Sequence, residues 1–99
     1  MLRMTSPQSW YLYLLECRNG RLYSGITTDL AKRFAKHASG KGAMFTRLNP
    51  PLRIVAAMSF ENRAEASRAE YQMKQLTVAQ KREVAAAWPL RVALPSVET

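Results

Sequence analysis

The first 37 residues hold side chains that could act together on a phosphate ester. Tyr13 and Tyr23 offer phenols, and further along lie Arg33 and the chain's only histidine, His37. An arginine guanidinium can bind a phosphate through two parallel hydrogen bonds, and histidine carries protons near neutral pH. Arg33 and His37 are four residues apart, so on a helix they would share one face. The alternative is an ordinary basic helix surface, which the spacing alone favours.

A carboxylate later in the chain could belong to the same site. Glu70 flanks the apolar stripe of a predicted helix, close to the small side chains of Ala66 and Ala69. A carboxylate at the edge of a buried stripe usually has a partner, either a cation or a metal ion. The alternative to a metal site is a salt bridge, for instance to Arg33 or Lys74.

The two tyrosines can cooperate only if they lie on the same face of a hairpin. The segments WYLYLLEC and LYSGI are typical of two strands, and the letters RNG between them indicate a tight turn. A two-residue turn would pair Tyr13 with Ile26, whereas a three-residue loop with a left-handed Gly20 would pair Tyr13 with Gly25. A shift of one residue turns every side chain over, so only the second register places Tyr23 beside Tyr13.

The rest of the chain predicts the elements around this hairpin. First comes a helix capped by Thr27 or Thr28 and stopped near Gly40, followed by a basic loop over 40–51 and a third strand over 52–60. Two further helices follow, each opened by a capping box. The first box runs from Asn62 to Glu65, and the second, which opens the shorter helix, runs from Thr77 to Gln80. The order β-β-α-β-α-α predicts an α+β fold with a small three-stranded, mainly antiparallel sheet flanked by helices. We expect one domain over 10–88, a flexible lead-in over 1–9 and a tail over 89–99.

Charge is the strongest property of the composition. Fifteen Lys and Arg residues oppose seven Asp and Glu, and eight of the bases but only one acid lie between Arg18 and Arg53. Such an excess attracts polyanions, so nucleic acid is the leading class of partner. The alternative is a charge that only keeps the protein in solution. The candidate contacts to nucleic acid are Lys32, Lys36, Lys41, Arg47 and Lys74.

Several classes of protein do not fit the sequence. No apolar run approaches the roughly 18 residues of a membrane span, and the first residues lack the apolar core of a secretory signal. The single cysteine, Cys17, can form neither an internal disulfide nor a cysteine-rich zinc site. The chain also lacks the Walker, GxSxG and HExxH motifs. We therefore expect a cytoplasmic protein with no membrane association.

Taken in order, these residues resemble the GIY-YIG nuclease superfamily. The resemblance rests on YLY at 11–13, YSG at 23–25, Arg33, His37 and the later Glu70. It is closest to the small stand-alone bacterial branch, which also resembles the catalytic domain of a eukaryotic endonuclease that cuts branched DNA. The segments GKGAMFTR and AEY fit this branch as well. The first tripeptide has tyrosine where many members have glycine, and the second has serine for isoleucine, but neither change removes a reactive group.

The resemblance implies a role for each candidate. Tyr13 would be the general base for the attacking water, and Tyr23 would position the water or the scissile phosphate. Arg33 would stabilise the pentacovalent phosphate, and His37 would assist proton transfer or orient a tyrosine. Glu70 would hold one Mg²⁺ or Mn²⁺ ion. The implied activity is metal-dependent hydrolysis of DNA phosphodiester bonds, in DNA repair or maintenance. The DNA could be branched, flap-shaped or single-stranded.

Two alternatives and one chemical requirement accompany this interpretation. The domain could be a catalytically weak or inactive nucleic-acid-binding module, or a subunit that depends on a protein partner for activity or specificity. If Tyr13 is a base, its phenol must lose a proton that ordinarily leaves only near pH 10. Either a lowered pKa, favoured by Arg33 and a metal ion, or transfer of the proton to His37 would meet that requirement.

Overall fold

A computed structural model of the chain describes residues 9–87, so the predicted tail and all but the last residue of the predicted lead-in lie outside the described residues. The elements are β1 (Trp10–Cys17), β2 (Leu22–Thr27), α1 (Leu30–Ala38), α2 (Met44–Leu48), β3 (Pro51–Phe60), α3 (Arg63–Lys74) and α4 (Val78–Ala87). The three strands form one antiparallel sheet in the order β2-β1-β3, which confirms the predicted α+β class. Between residues 9 and 87, the helices are all too short or too polar to span a bilayer.

The hairpin adopts the register that brings the two tyrosines together. Tyr13 pairs with Gly25, and Leu15 pairs with Tyr23. Gly20 has a φ of 80°, the left-handed conformation that glycine adopts without a steric penalty. Of the two turns that the sequence allows, the three-residue loop is therefore the one that forms, and Tyr13, Leu15 and Tyr23 consequently belong to one cluster on one face of the sheet.

Strand β1 is the central strand and is covered on both faces. On one face lies the cluster of Tyr13, Leu15, Cys17, Phe34 and Ile54. On the other face lies the cluster of Leu12, Leu14, Ala56, Met58 and Met73, with Ala69 and Leu76 packed against it. This double coverage explains why β1 is apolar at successive positions instead of alternating. It also places a strand tyrosine deep between the sheet and α1.

The start of α1 differs from the prediction. The N-cap is Asp29, whose carboxylate accepts a hydrogen bond from the backbone N–H of Lys32 at 3.0 Å. The hydroxyl of Thr27 instead accepts from the N–H of Asp29 at 3.1 Å and so holds the residue before the helix. An aspartate at this position reaches the third N–H of the helix and also complements its positive end, which explains why it replaces the predicted threonine cap.

The segment predicted as a basic loop over 40–51 contains the short helix α2. Its N-cap is Ala43, whose side chain offers no hydrogen bond, so the capping signal that reveals α3 and α4 is missing. The turn is instead supported from inside, because the hydroxyl of Thr46 donates to the carbonyl oxygen of Ala43 at 2.9 Å. The prediction of a loop over this segment was wrong. In the sequence, a threonine that supports a helical turn through such a bond looks the same as any other polar threonine.

The two later helices begin where their capping boxes predict. Asn62 accepts a hydrogen bond from the N–H of Glu65 at 2.9 Å. Thr77 and Gln80 exchange two bonds, since each side chain accepts from the backbone N–H of the other residue. The Asn62 cap sets the start of α3, and therefore the face on which Glu70 lies.

Candidate active site

The hydroxyl of Tyr13 is the point at which the predicted residues meet. It lies 2.9 Å from Nε2 of His37 and accepts a hydrogen bond from Nε of Arg33 at 3.4 Å. Tyr13 is 2% exposed and His37 is 1% exposed, whereas Arg33 is half-buried. The four-residue spacing predicted one shared helix face for Arg33 and His37. The structure leaves only Arg33 partly exposed, because His37 points inward between β1 and α2.

The second nitrogen of His37 contacts a residue that sequence reasoning missed. Nδ1 lies 2.8 Å from the hydroxyl oxygen of Thr46, and Thr46 is 1% exposed. In the sequence, the segment GKGAMFTR is distinguished only by its charge and by its resemblance to the family. The available signal for Thr46 was a small polar residue beside Phe45 in a basic segment. The role of Thr46 can be recognised only in the folded structure, where α2 packs against α1 and brings this hydroxyl to His37.

Tyr23 holds α2 against the hairpin. Its ring lies edge-on to His37, with 5.4 Å between centroids, and stacks on Phe45 with 5.5 Å between centroids. Aromatic pairs of this kind contribute about 1 kcal/mol beyond the area they bury. Because its side chain is half-buried, Tyr23 supports the imidazole and also reaches the rim of the site.

Two glycines allow these side chains to approach the backbone. A Cβ at Gly25 would overlap the hydroxyl and the ring of Tyr13, and a Cβ at Gly42 would overlap the imidazole of His37. Neither glycine is among the described residues with positive φ, so the requirement here is for space and not for backbone freedom. The glycine of the YSG tripeptide is thus explained by the position of the phenol opposite it.

The electrostatics of the site are dominated by burial. Burial, together with the positive charges of Arg33 and Lys36, lowers the pKa of His37 to about 4, so the imidazole is neutral at pH 7. Burial also raises the pKa of Tyr13, although the hydrogen bond and the charge of Arg33 act in the opposite direction. Arg33 thus acts on this phenol in the expected direction, but the net pKa of Tyr13 still lies above its ordinary value. Loss of solvation outweighs one nearby cation.

A basic cleft opens beside Arg33. It has a volume of about 330 Å³ and is lined by Thr27, Thr28, Asp29, Lys32, Arg33 and Lys36. Lys32 and Lys36, two of the predicted contacts to nucleic acid, thus share this cleft with Arg33. The carboxylate of Asp29 is engaged in capping α1, so cations supply the main charge of the cleft.

The other predicted contacts to nucleic acid lie on separate elements. Lys41, between α1 and α2, and Arg47, in the last turn of α2, are exposed. They flank the segment that supplies Thr46 to the site. Lys74, at the end of α3, is exposed as well, but its amino group pairs with Glu70 at 3.5 Å. Lys74 is therefore tied to the candidate metal ligand.

Glu70 fits a simple magnesium site but not a closed one. Its side chain is partly buried, and its charge helps to raise the pKa of Tyr13, so the carboxylate lies within electrostatic reach of that hydroxyl. The part of the chain from 9 to 87 contains no group of three or more His, Cys, Asp or Glu that could enclose a metal. Mg²⁺ commonly uses one or two carboxylates and completes its shell with water and substrate phosphate, which a single half-exposed glutamate permits.

The hairpin presents two tyrosines to an arginine and a histidine of the next helix, which is the arrangement that the resemblance to a nuclease-type catalytic domain implied. The profile described as the GIY-YIG catalytic domain matches residues 9–83, and the chain belongs to this family. The predicted resemblance to the small bacterial branch is confirmed by relatives of which the chain spans 76% to 94%. A UPF0213 protein of Cupriavidus necator is 48% identical over 86 residues, which are 87% of this chain and 94% of that protein.

One further relative by sequence and two solved structures are also similar to this chain. A UPF0213 protein of Xanthomonas campestris is 53% identical over 78 residues, which are 79% of this chain and 76% of the relative. The NMR structure of a UPF0213 protein from Bacillus halodurans is 44% identical, with a TM-score of 0.52 and coverage of 80% of this chain and 84% of that one. A protein from E. faecalis, also solved by NMR, is 38% identical, with a TM-score of 0.58 and coverage of 85% and 90%.

Proposed function

We propose that this protein is a metal-dependent endonuclease that hydrolyses DNA phosphodiester bonds in DNA repair or maintenance. The observation that carries the proposal is the Tyr13 hydroxyl, held between a cation, Arg33, and a neutral imidazole, His37. A core tyrosine that only packs needs one partner for its hydroxyl. This hydroxyl has one partner that can take its proton and another that can stabilise negative charge on its oxygen. Membership of the GIY-YIG family supports hydrolysis of a nucleic acid.

Tyr13 and His37 would activate the attacking water together. The water gives a proton to the Tyr13 oxygen as the Tyr13 proton passes to Nε2 of His37. The hydroxide then forms a bond to phosphorus, the bond to the 3′ oxygen breaks, and that oxygen takes a proton from solvent. Because one proton arrives as the other leaves, the raised pKa of Tyr13 is no obstacle, since no free phenolate has to accumulate.

Arg33 would stabilise the charge that develops on the phosphate. Its Nε is bound to Tyr13, so its two terminal nitrogens would be left to bind a phosphate in the cleft that Arg33 lines. Preorganised cations beside a developing charge lower the barrier without reorganisation at the moment of reaction. Lys32 and Lys36 would hold the neighbouring backbone phosphates, and Lys41 and Arg47 would guide the strand past α2.

The surface charge is arranged in favour of this cleft. Elsewhere, Arg53 and Arg82 are both paired with Glu16. Within residues 9–87, the ion pairs leave the lysines of the cleft without a carboxylate partner. A polyanion would therefore be drawn to the α1 side of the sheet.

Glu70 would hold the divalent ion. A bound Mg²⁺ or Mn²⁺ supplies Lewis-acid stabilisation at the phosphate oxygens. To serve as a ligand, Glu70 has to exchange its contact with Lys74 for the metal. The contact spans 3.5 Å and its lysine is exposed, so this exchange costs little.

A cleavage assay tests the proposal directly. Labelled duplex, flap, branched and single-stranded DNA would be incubated with Mg²⁺ or Mn²⁺ and with the wild type, Arg33→Ala or Glu70→Ala. We expect metal-dependent cutting of at least one substrate and a loss of about 100-fold or more in both variants. Arg68→Ala and Glu61→Ala remove the same charges from exposed positions of the chain and should cut like the wild type.

A second function is favoured by the closed state of the site. Tyr13 is 2% exposed and Glu70 is paired with Lys74, which also suits a nucleic-acid-binding module that does not cut. Salt-sensitive binding of DNA with no cutting of any substrate in either metal would establish that alternative. Cutting that survives in Arg33→Ala would contradict the catalytic assignment.

A further inference from the structure

Five groups form one line of four hydrogen bonds through the centre of the domain. The bonds join Nε of Arg33 to the Tyr13 hydroxyl (3.4 Å), that hydroxyl to Nε2 of His37 (2.9 Å), Nδ1 of His37 to the Thr46 hydroxyl (2.8 Å), and that hydroxyl to the Ala43 carbonyl oxygen (2.9 Å). The guanidinium at one end can only donate, and the carbonyl at the other end can only accept. Along this line, each group therefore donates its hydrogen bond in the same direction, from Arg33 toward Ala43.

The direction follows from counting protons. Thr46 has one hydroxyl proton and gives it to Ala43, so its oxygen is left to accept from Nδ1–H of His37. A neutral imidazole that carries its proton on Nδ1 has a bare Nε2, which accepts the proton of the Tyr13 hydroxyl. The Tyr13 oxygen then accepts from Arg33. In this arrangement each of the four contacts is a proper donor and acceptor pair.

The opposite tautomer satisfies fewer groups. If Nε2 carried the proton, Nδ1 would need the hydroxyl proton of Thr46, and the bond from Thr46 to Ala43 would be lost. The Tyr13 oxygen would then face two donors while its own proton would have no acceptor. Both hydroxyls belong to residues that are at least 98% buried, so water cannot easily compensate. Leaving a buried donor without a partner is strongly unfavourable.

We propose that Thr46 is a positioning residue of the nuclease site, which holds neutral His37 in the Nδ1–H tautomer so that the bare Nε2 can take the Tyr13 proton. The catalytic consequence rests on the proposed function, whereas the tautomer does not depend on it. Gly42 contributes by leaving room for the imidazole beside the loop that leads into α2. The stack of Tyr23 on Phe45 keeps α2, and with it Thr46, in place.

Nuclear magnetic resonance can test the tautomer without any enzymatic assay. The chain has one histidine, so a long-range proton–nitrogen correlation spectrum contains a single imidazole system. At pH 7 we expect Nδ1 of the wild type to show the nitrogen shift of a protonated ring nitrogen and Nε2 that of an unprotonated one. A neutral histidine in water prefers the other tautomer, so this result would not arise by default. A protonated Nε2 in the wild type would overturn the proposal.

Two variants of Thr46 separate positioning from simple packing. Thr46→Val keeps the shape but removes the hydroxyl, and we expect protonation to move to Nε2 and kcat to fall about tenfold or more with little change in KM. Thr46→Ser keeps the hydroxyl and should restore both the tautomer and most of the activity. An unchanged tautomer in Thr46→Val, or an unchanged kcat despite an altered tautomer, would contradict the role.

The two proposals fail in different ways. If the wild type cuts no DNA but shows Nδ1–H, the proposed function fails while the line of hydrogen bonds stands. If the wild type cuts DNA but shows Nε2–H, the role of Thr46 fails alone. Backbone amide spectra of each variant report whether it is folded, and the wild-type spectrum decides the tautomer even if Thr46→Val does not fold.

Discussion

The hydroxyl of Tyr13 and Nε2 of His37 lie 2.9 Å apart, although the two residues are 24 positions apart in the chain. The contact forms because β1 presents Tyr13 toward α1 and because His37 points inward from that helix. It is a hydrogen bond between two almost completely buried groups, one of which is neutral because it is buried.

Removing the Tyr13 hydroxyl should abolish activity but retain the fold. In Tyr13→Phe the ring still fills its place, while His37 loses its proton donor and Arg33 loses its acceptor. We expect cleavage to fall about 100-fold or more and the free energy of unfolding to fall by about 1 kcal/mol. Tyr11→Phe, at a half-buried position two residues away, should change neither quantity appreciably. Equal activity of the two variants would remove Tyr13 from the reaction.

A methyl group at residue 25 should displace the phenol. Its Cβ would overlap the Tyr13 hydroxyl and ring carbon, so Gly25→Ala should lower the free energy of unfolding by about 1–3 kcal/mol and reduce cleavage. In the double variant with Tyr13→Phe the oxygen is absent, so part of the cost should disappear. Chemical denaturation of the four proteins measures this coupling, and strict additivity would mean that the two residues do not collide.

The buried histidine should make stability depend on pH. The pKa of His37 is about 4 in the folded protein and about 6.5 in the unfolded chain, so the unfolded state takes up the proton first as pH falls. The stabilisation is fully present above pH 6.5 and is lost as pH falls toward 4, by roughly 3 kcal/mol in total. We expect this loss in urea denaturation of the wild type between pH 7 and pH 4.

A variant isolates the contribution of the histidine from that of the acidic residues. His37→Gln keeps a polar side chain of similar size but does not titrate, so its stability should change less over the same range of pH. The difference between the two curves of stability against pH measures the contribution of His37. Parallel curves would show that His37 is protonated or exposed in the folded state.

The lysines of the cleft should govern the salt dependence of DNA binding. If Lys32 and Lys36 each neutralise one phosphate, Lys32→Ala and Lys36→Ala should each reduce the slope of log affinity against log salt by about 0.7–0.9. Arg68→Ala removes an equal charge from the exposed surface of α3 and should leave the slope almost unchanged. Equal slopes for all the variants would mean that DNA does not bind along this cleft.

Lys74 and the metal ion should compete for Glu70. Lys74→Ala frees the carboxylate, so we expect a lower concentration of Mn²⁺ to give half-maximal cleavage. Glu70→Gln removes the ligand charge and should abolish the metal response at any concentration tested. Titrations of cleavage against Mn²⁺ check both, with Lys81→Ala as a control on α4. A higher metal requirement in Lys74→Ala would instead assign this lysine to DNA binding.

Local sequence rules were sufficient for the frame of the domain. Turn length and alternation within a few residues narrowed the hairpin to two registers, and the structure contains the one with the three-residue loop at Gly20. The caps at Asn62 and Thr77 are equally local. Such signals act over one or two turns of the backbone, so a single sequence can reveal them.

The tertiary structure alone decided the internal connections of the site. Thr46 became part of it only when α2, which lacks a side-chain cap, packed against His37. The position of Lys32 and Lys36 in the cleft likewise depends on how α1 meets the end of β2.

The sequence by itself determined the family, the α+β class and the order of the elements apart from α2. Only the folded structure decided that His37 is buried and neutral, and that burial outweighs Arg33 and raises the pKa of Tyr13. The physical reason is that solvation and electrostatic fields depend on all the atoms around a group. Those atoms come from β1, β2, α1 and α2, whose separation along the chain hides their proximity in space.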